Sequence, residues 1–296
     1  MPLVTEIAKK ILRRFGIEDY VAKPYHRFRR ARFVQRYGAI TRFTLVLDDL
    51  EVTFSTEDDR SKYWFFPKYD GGKIYEEPVT RLIVQHLRSA KCFADIGANI
   101  GYYTCLACKA MSAGSIYAFE MDGHNYSILT QNISLNGCGS VRSFNTAVMD
   151  TQGVVHYEVV EDRLSAGLRI SLKTPPEINS LVEVPAIGLD EFFDHIGEVP
   201  DITKIDVEGA EFKVLSGMHR ILEHDQPTLF IELHPDMLPL FGSCAEDVVQ
   251  LLLNSGYSIY EVQHMRKFSD RAALRKVEVG TRLTSNTMLY AYIDHS

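Results

Sequence analysis

Apolar and polar positions follow three successive patterns along the chain. Leu3, Ile7, Ile11 and Phe15 recur every four residues, with Val4 and Leu12 beside them and Lys9, Lys10, Arg13 and Arg14 on the other side. This is an amphipathic helix with a basic face. Residues 41–56 alternate instead, as in Arg42-Phe43-Thr44-Leu45-Val46-Leu47 and Leu50-Glu51-Val52-Thr53-Phe54 around Asp48-Asp49. Period two predicts a β-hairpin outside the main fold. Trp64 to Pro67 and Asp70-Gly71-Gly72 mark a loop, and Pro78 opens a helix over about 78–89.

From Cys92 the pattern becomes regularly β then α. Strands are predicted at Cys92 to Ile96, Ser115 to Glu120, Val141 to Val148, Ile202 to Val207, Thr228 to Leu233, 257–263 and 287–293. Helices are predicted after the first turn, over 123–136, from Gly209 to His224 and over 244–255, with a strand-rich excursion at 153–189. Strands alternating with helices imply an α/β fold, a mainly parallel sheet with helices on both faces. The division that follows is an N-terminal extension over 1–74 and a main domain over 75–296.

The first β-to-α connection carries the chemistry. Cys92 to Ile96 is a short apolar run without alternation, which suits a strand covered on both faces. Gly97 permits a sharp turn and close ligand approach, Asn99 tolerates a left-handed backbone, and Gly101 opens the next helix. Such a turn at the carboxyl end of a parallel strand cradles a small-molecule cofactor. Asp95, Gly97, Ala98, Asn99 and Gly101 are the candidate cofactor contacts here. Glu120, at the tip of the second strand, is placed to accept both hydroxyls of an adenosine ribose. Thr146 and Ala147 offer a small shelf for an adenine edge. The G-x-x-x-G spacing departs from the G-x-G-x-x-G of dinucleotide sites, although Glu120 would serve NAD equally.

Two acids, Asp206 and Glu208, stand two apart at the end of a central strand, so both face one crevice. A nearby cation, such as Lys204, would lower their pKa values, and burial would raise them. His234, two residues after Glu232 on the adjacent strand, reaches the same mouth. Glu211 is read as a helix-capping acid that complements the dipole. Asp206, Glu208 and His234 are the catalytic candidates, with the proton acceptor among them left open. The same acids could hold a divalent cation, but the spacing does not demand one and no metal is assigned.

Composition narrows the setting. The 296 residues carry a net charge of −7 and 46% hydrophobic residues, ordinary for a soluble globular protein. No apolar run approaches a membrane span, and the N-terminus lacks the apolar core of a signal peptide. Five cysteines without a regular framework suggest a reducing, cytoplasmic setting. Cys105 and Cys108 read as core-facing residues of the helix after the turn. Residues 1–36 hold ten basic and three acidic residues, a net +7 that leaves −14 for the rest. The body is therefore a poor nucleic-acid surface. The arm docks on the body by its apolar stripe or, in the sharper reading, makes a peripheral contact with a membrane surface through basic residues 9–36.

Three motifs in this order and spacing resemble the FkbM family of S-adenosylmethionine (SAM)-dependent methyltransferases. They are DIGANIG at 95–101, YAFE at 117–120 and KIDVEGAE at 204–211. The likeness covers roughly Tyr75 to Tyr260. It implies a Rossmann-like class I methyltransferase fold, SAM as cofactor, and mostly O-methylation of a sugar, glycan or secondary metabolite. The rivals are an NAD-dependent oxidoreductase and an adenosyl-binding module without turnover. The motifs do not specify an oligomeric state.

Overall fold

A computed structural model describes residues 35–158, 169–170, 181–265 and 269–294. The basic amphipathic helix expected at 3–15 lies outside the described residues. The alternating segment forms β1 (Arg42–Leu47) and β2 (Leu50–Ser55), paired antiparallel with Leu47 opposite Leu50. Alternation buries Leu45, Leu47, Val52 and Phe54 on one face and leaves Val46 and Glu51 exposed on the other. Next come α1 (Glu77–Leu87), with Pro78 in its first turn, β3 (Cys92–Ile96), α2 (Tyr102–Ala110), β4 (Ser115–Phe119) and α3 (Gly123–Leu135).

The hairpin is a separate two-stranded sheet, but its buried face shares a core with Val79, Ile83, Leu106 and Phe93. Asn132 and Asn136 fasten it. Asn132 Oδ1 accepts the Ser55 N–H at 2.7 Å, and Asn136 exchanges two hydrogen bonds with the Thr53 backbone at 2.9 and 2.7 Å. These bonds satisfy an edge strand that would otherwise expose unpaired amides.

The expected third strand divides. β5 (Val141–Phe144) continues the main sheet, whereas β6 (Ala147–Val148) joins a second sheet with β7 (Gly153–Glu158), β8 (Arg169–Ile170) and β9 (Leu181–Ile187), in the order β6-β9-β7-β8. Asn145 makes the break, its Nδ2 donating to the carbonyls of Glu120 and Met121 at 2.9 and 3.0 Å. A helix absent from the expected elements, α4 (Leu189–Ile196), follows at once; its apolar Leu189, Phe192, Phe193 and Ile196 fall on one face, and Leu189 and Phe193 are buried.

The remaining elements are β10 (Ile202–Ile205), α5 (Glu211–Ser216), β11 (Thr228–Leu233), α6 (Ala245–Asn254), β12 (Ser258–Gln263), β13 (Ala273–Val277) and β14 (Thr287–Tyr292). The helix expected from Gly209 to His224 is interrupted at Gly217, where the backbone passes so close to Met149 that a Cβ would lie 2.1 Å from its carbonyl oxygen, and helical turns resume over 219–225. The main sheet runs β5-β4-β3-β10-β11-β14-β12-β13. Pairing is parallel from β5 to β11 and antiparallel where β14 inserts between β11 and β12. Both faces are covered, as the continuous apolar strands require. Along β3, Phe93 enters one core with α1, α2 and the hairpin, while Cys92, Ala94 and Ile96 enter the other with α4 and α5.

One expectation about the cysteines is corrected. Cys105 is buried in the core as expected, but Cys108 is bonded to Cys138, tying α2 to the segment after α3. Among the described residues no helix is long and apolar enough to cross a membrane.

Candidate functional site

The turn after β3 is held by backbone geometry. Gly97 (φ +76°), Asn99 (φ +53°) and Gly101 (φ +84°) all occupy the left-handed region, as their residue types allow. Gly97 is fixed by more than its φ. A Cβ there would lie 1.9 Å from the Asp206 carbonyl oxygen, because the turn presses on the chain leaving β10. The Gly97 and Ala98 N–H groups both donate to the Phe119 carbonyl at 2.9 Å. Gly101 packs against Leu129 of α3, and Asp95 lies beneath the turn, accepting the Thr104 hydroxyl at 2.6 Å.

Glu120 follows β4 directly. Its two oxygens accept the N–H groups of Asn99 at 2.7 Å and Asp122 at 2.8 Å. Burial pushes its pKa up to about 7 against those two bonds. Each oxygen keeps a lone pair for a further donor. Gly97, Asn99 and Glu120 open onto a pocket whose other walls include Phe119, Thr146, Ala147, Val207 and Phe241. The slot is mostly apolar, with the Glu120 carboxylate at one edge and Asp206 and Glu208 at another, an arrangement that could hold an adenine ring and its ribose. Seven of the expected cofactor contacts can be placed on this map. Gly97, Asn99, Glu120, Thr146 and Ala147 line the pocket, while Asp95 and Gly101 support the turn from behind. Ala98 instead lines the adjoining cavity.

That second cavity, of about 640 Å³, shares Gly97, Asn99, Asp206 and Glu208 with the first. Strand parity builds it. Asp95, Lys204 and Glu232 take the face that also carries Phe93, Ile202 and Phe230, and Asp206 and His234 continue the same parity past the strand ends. Lys204 is buried, 3.2 Å from Asp206 Oδ2 and 5.0 Å from the centre of the Tyr103 ring. Burial lowers its pKa, but Asp206, Asp95 and Glu232 outweigh this and hold it raised. β10 ends at Ile205, so Asp206 and Glu208 sit on a turn, not on the strand expected to reach Val207. Glu208 adopts φ +51°, a strained conformation for a side chain without a short polar group.

His234 joins these groups. Its Nδ1 donates to Glu211 Oε1 at 2.6 Å, and Glu211 also accepts the Gly209 N–H at 2.9 Å. His234 Nε2 faces Glu208 Oε2 at 3.6 Å, Glu232 Oε1 at 3.8 Å and Asp206 Oδ1 at 4.0 Å. Burial lowers the imidazole pKa, but the Glu211 bond and the charges of Asp206 and Glu208 raise it to about 9. Burial raises Glu208, against the lowering by His234, and lifts Glu232 to about 8 with help from Asp206 and Glu76.

The structure therefore gathers Asp206, Glu208 and His234, and adds two groups to which sequence reasoning gave no catalytic or binding role. Glu211 is wholly buried and orients the imidazole, a different task from capping; its place inside KIDVEGAE was the available signal. Glu232 was placed near the acids but assigned nothing. Arg60, Phe65, Tyr69 and Tyr75, from the segment between the hairpin and α1, wall the cavity, and no pattern in the sequence marked them.

A mainly parallel sheet wound in both directions from β3, with a pocket across its carboxyl ends, is the architecture of a Rossmann-like methyltransferase fold. The chain belongs to the Methyltransferase FkbM domain family, whose profile matches residues 95–259. It is 25% identical over 248 residues to the hexuronic acid methyltransferase AglP of Haloferax volcanii, covering 83% of this chain and 88% of that one. It is 28% identical over 196 residues to the methyltransferase sdnD of Sordaria araneosa, covering 55% of this chain and 74% of that one. The crystal structure of an FkbM methyltransferase from Methylobacillus flagellatus aligns at 19% identity with a TM-score of 0.43. That alignment covers 69% of this chain and 44% of the other.

Proposed function

We propose that this chain transfers a methyl group from SAM to a hydroxyl of a sugar or a related small molecule. The observation that carries the reading is the shared wall. Gly97, Asn99, Asp206 and Glu208 border both an adenosine-shaped pocket and an acid-lined cavity, so donor and acceptor would meet at one seam. The relative named as a hexuronic acid methyltransferase supports a sugar acceptor.

SAM supplies an electrophilic methyl on a sulfonium. The chain's own residues supply position and proton acceptance. Glu120 accepts the ribose hydroxyls, and Thr146 and Ala147 border the base. Asp206 and Glu208 stand at the seam, where their charge favours the sulfonium and where Glu208 accepts the hydroxyl proton. Positioned proton acceptance contributes about 10²–10⁴ in rate. Glu211 holds the His234 ring so that Nε2 faces the acceptor cavity. Phe65, Tyr69 and Tyr75 offer aromatic faces to a sugar ring.

The test is labelled-methyl transfer from SAM to a panel of hexuronic acids, neutral hexoses and lipid-linked sugars, with thermal shift by S-adenosylhomocysteine and NAD alongside. Transfer to at least one sugar, and stabilisation by S-adenosylhomocysteine but not NAD, is expected. Stabilisation by NAD alone would sink the reading.

A further inference from the structure

His234 is the group whose arrangement the proposed transfer does not fully use. Its Nδ1 is committed to Glu211, which leaves Nε2 facing the cavity, where a bound cation could take the place of the Nε2 proton. The side chain is only 3% exposed, yet Nε2 hydrogen-bonds to none of the three carboxylates around it, at 3.6, 3.8 and 4.0 Å. On this side of the ring, unlike the Nδ1 side, none of the three acids makes the short contact of a charge-assisted hydrogen bond, of about 2.7–2.9 Å. One ligand atom each from Asp206, Glu232 and His234 lies within 4.8 Å of the others. Around an octahedral ion with bonds of about 2.1 Å, adjacent ligands stand roughly 3 Å apart and opposite ones roughly 4.2 Å. The Nε2 separations from Asp206 and Glu232 fall in that interval, and small side-chain movements would close them on one ion.

The surroundings favour a cation. Asp95, Glu211 and Glu232 are buried around Asp206 and Glu208, and the buried Lys204 ammonium already bonds Asp206 and caps the Tyr103 ring. The Glu211–His234 pair is the arrangement in which a carboxylate fixes the tautomer of a metal-binding imidazole.

We propose that Asp206, Glu232 and His234 Nε2 bind one divalent first-row cation, whose open positions face the acceptor cavity. Two carboxylates and one imidazole suit Mn²⁺ or a neighbouring first-row ion better than Ca²⁺. The catalytic part of this proposal rests on the methyl-transfer reading above. The acceptor oxygen would bind the cation, which acidifies its hydroxyl. The proton passes to Glu208, the oxygen lone pair forms the new C–O bond, and the S–C bond pair stays on sulfur. The products are the methyl ether, S-adenosylhomocysteine and one proton.

The test uses the full chain, stripped with EDTA and dialysed. Mn²⁺ is titrated and its free signal followed by electron paramagnetic resonance. One Mn²⁺ per chain is expected, with affinity at least tenfold weaker in both Glu232→Gln and Asp206→Asn, whose folding is checked by circular dichroism. Asp206 is part-exposed, so its variant serves if the buried Glu232→Gln does not fold. No bound Mn²⁺ in the wild-type chain, or binding unchanged in the folded variants, overturns the site. With the site established, stripping should lower methyl transfer on the order of 10²-fold and Mn²⁺ should restore it. Transfer that survives stripping overturns the activating role. S-adenosylhomocysteine binding is measured on the same samples. Its loss, or absence of transfer under every condition, counts against the methyltransferase reading and leaves the Mn²⁺ count standing.

Discussion

The cofactor-side pocket and the acidic cavity share a wall but are built by opposite means. In the first, backbone does the shaping: three left-handed residues set the turn, and Glu120 is held by two main-chain N–H groups. In the second, side chains from two stretches of chain, 204–211 and 232–234, converge, and Asp206, Glu208, Glu211, Glu232, Lys204 and His234 hold one another. A backbone-made site tolerates few substitutions because geometry is at stake. A charge-made site keeps its shape but loses its chemistry when one member changes.

Glu208→Gln is the widest split between the two. Methyl transfer should fall by about 10²–10⁴ with proton acceptance removed, while the dissociation constant for S-adenosylhomocysteine stays within about threefold. The partner experiment, Glu120→Gln, should weaken S-adenosylhomocysteine by about 10- to 100-fold, since a charge-assisted hydrogen bond is worth about 1.5–3 kcal/mol. Calorimetry and single-turnover transfer read the two quantities separately. Equal losses of both in each variant would show that the regions are not separable.

Gly97→Ala probes the backbone side. Its Cβ would collide with the Asp206 carbonyl and sit at positive φ, so a stability loss of about 2–5 kcal/mol is expected in urea. Filling of cofactor space, which the glycine turn suggested from the sequence, is thus secondary to this contact. An unchanged midpoint would mean that the turn and β10 are not in contact in solution.

The smallest effect is one of pH. Glu120 has its folded pKa raised to about 7 by burial. Between its unfolded value of about 4.3 and 7 the unfolded chain has released this proton and the folded chain keeps it. Stability is therefore fully present below that window and declines as pH rises through it. The decline should be absent in Glu120→Gln. In the proposed site the ribose hydroxyls would bind the ionised form, so S-adenosylhomocysteine affinity should fall by about fivefold from pH 7 to pH 6. A flat affinity profile over that unit would remove Glu120 from the ribose.

What the sequence disclosed follows the same division. Gly97, Asn99 and Gly101 were legible because left-handed backbone restricts residue type, and Glu120 because the second strand ends where its apolar run ends. The parallel sheet was legible from strands buried on both faces. The break at Asn145 was not, since Ala147 and Val148 are as apolar as the strand they leave; the change of sheet depends on pairing with β9. α4 does carry helical spacing, at Leu189, Phe192, Phe193 and Ile196, but it is only one short helix directly after a strand, whereas β13 is mostly exposed and has no clear period. Glu211 looked like a capping acid because its partner His234 is 23 residues away. The Cys108–Cys138 bond spans 30 residues and has no local signature.

The contact between Gly97 and the Asp206 carbonyl bears on how such an enzyme can be retargeted. It acts as a rivet through both half-sites, so a shift in the chain leaving β10 would carry the cofactor turn with it. Redesign for a new acceptor therefore has little freedom at the seam. The freedom lies at Phe65 and Tyr69, which line the cavity without touching the rivet, and not at Arg60, whose charge acts on Glu120 and Glu208. A library confined to those two positions should keep cofactor affinity nearly constant while acceptor preference drifts.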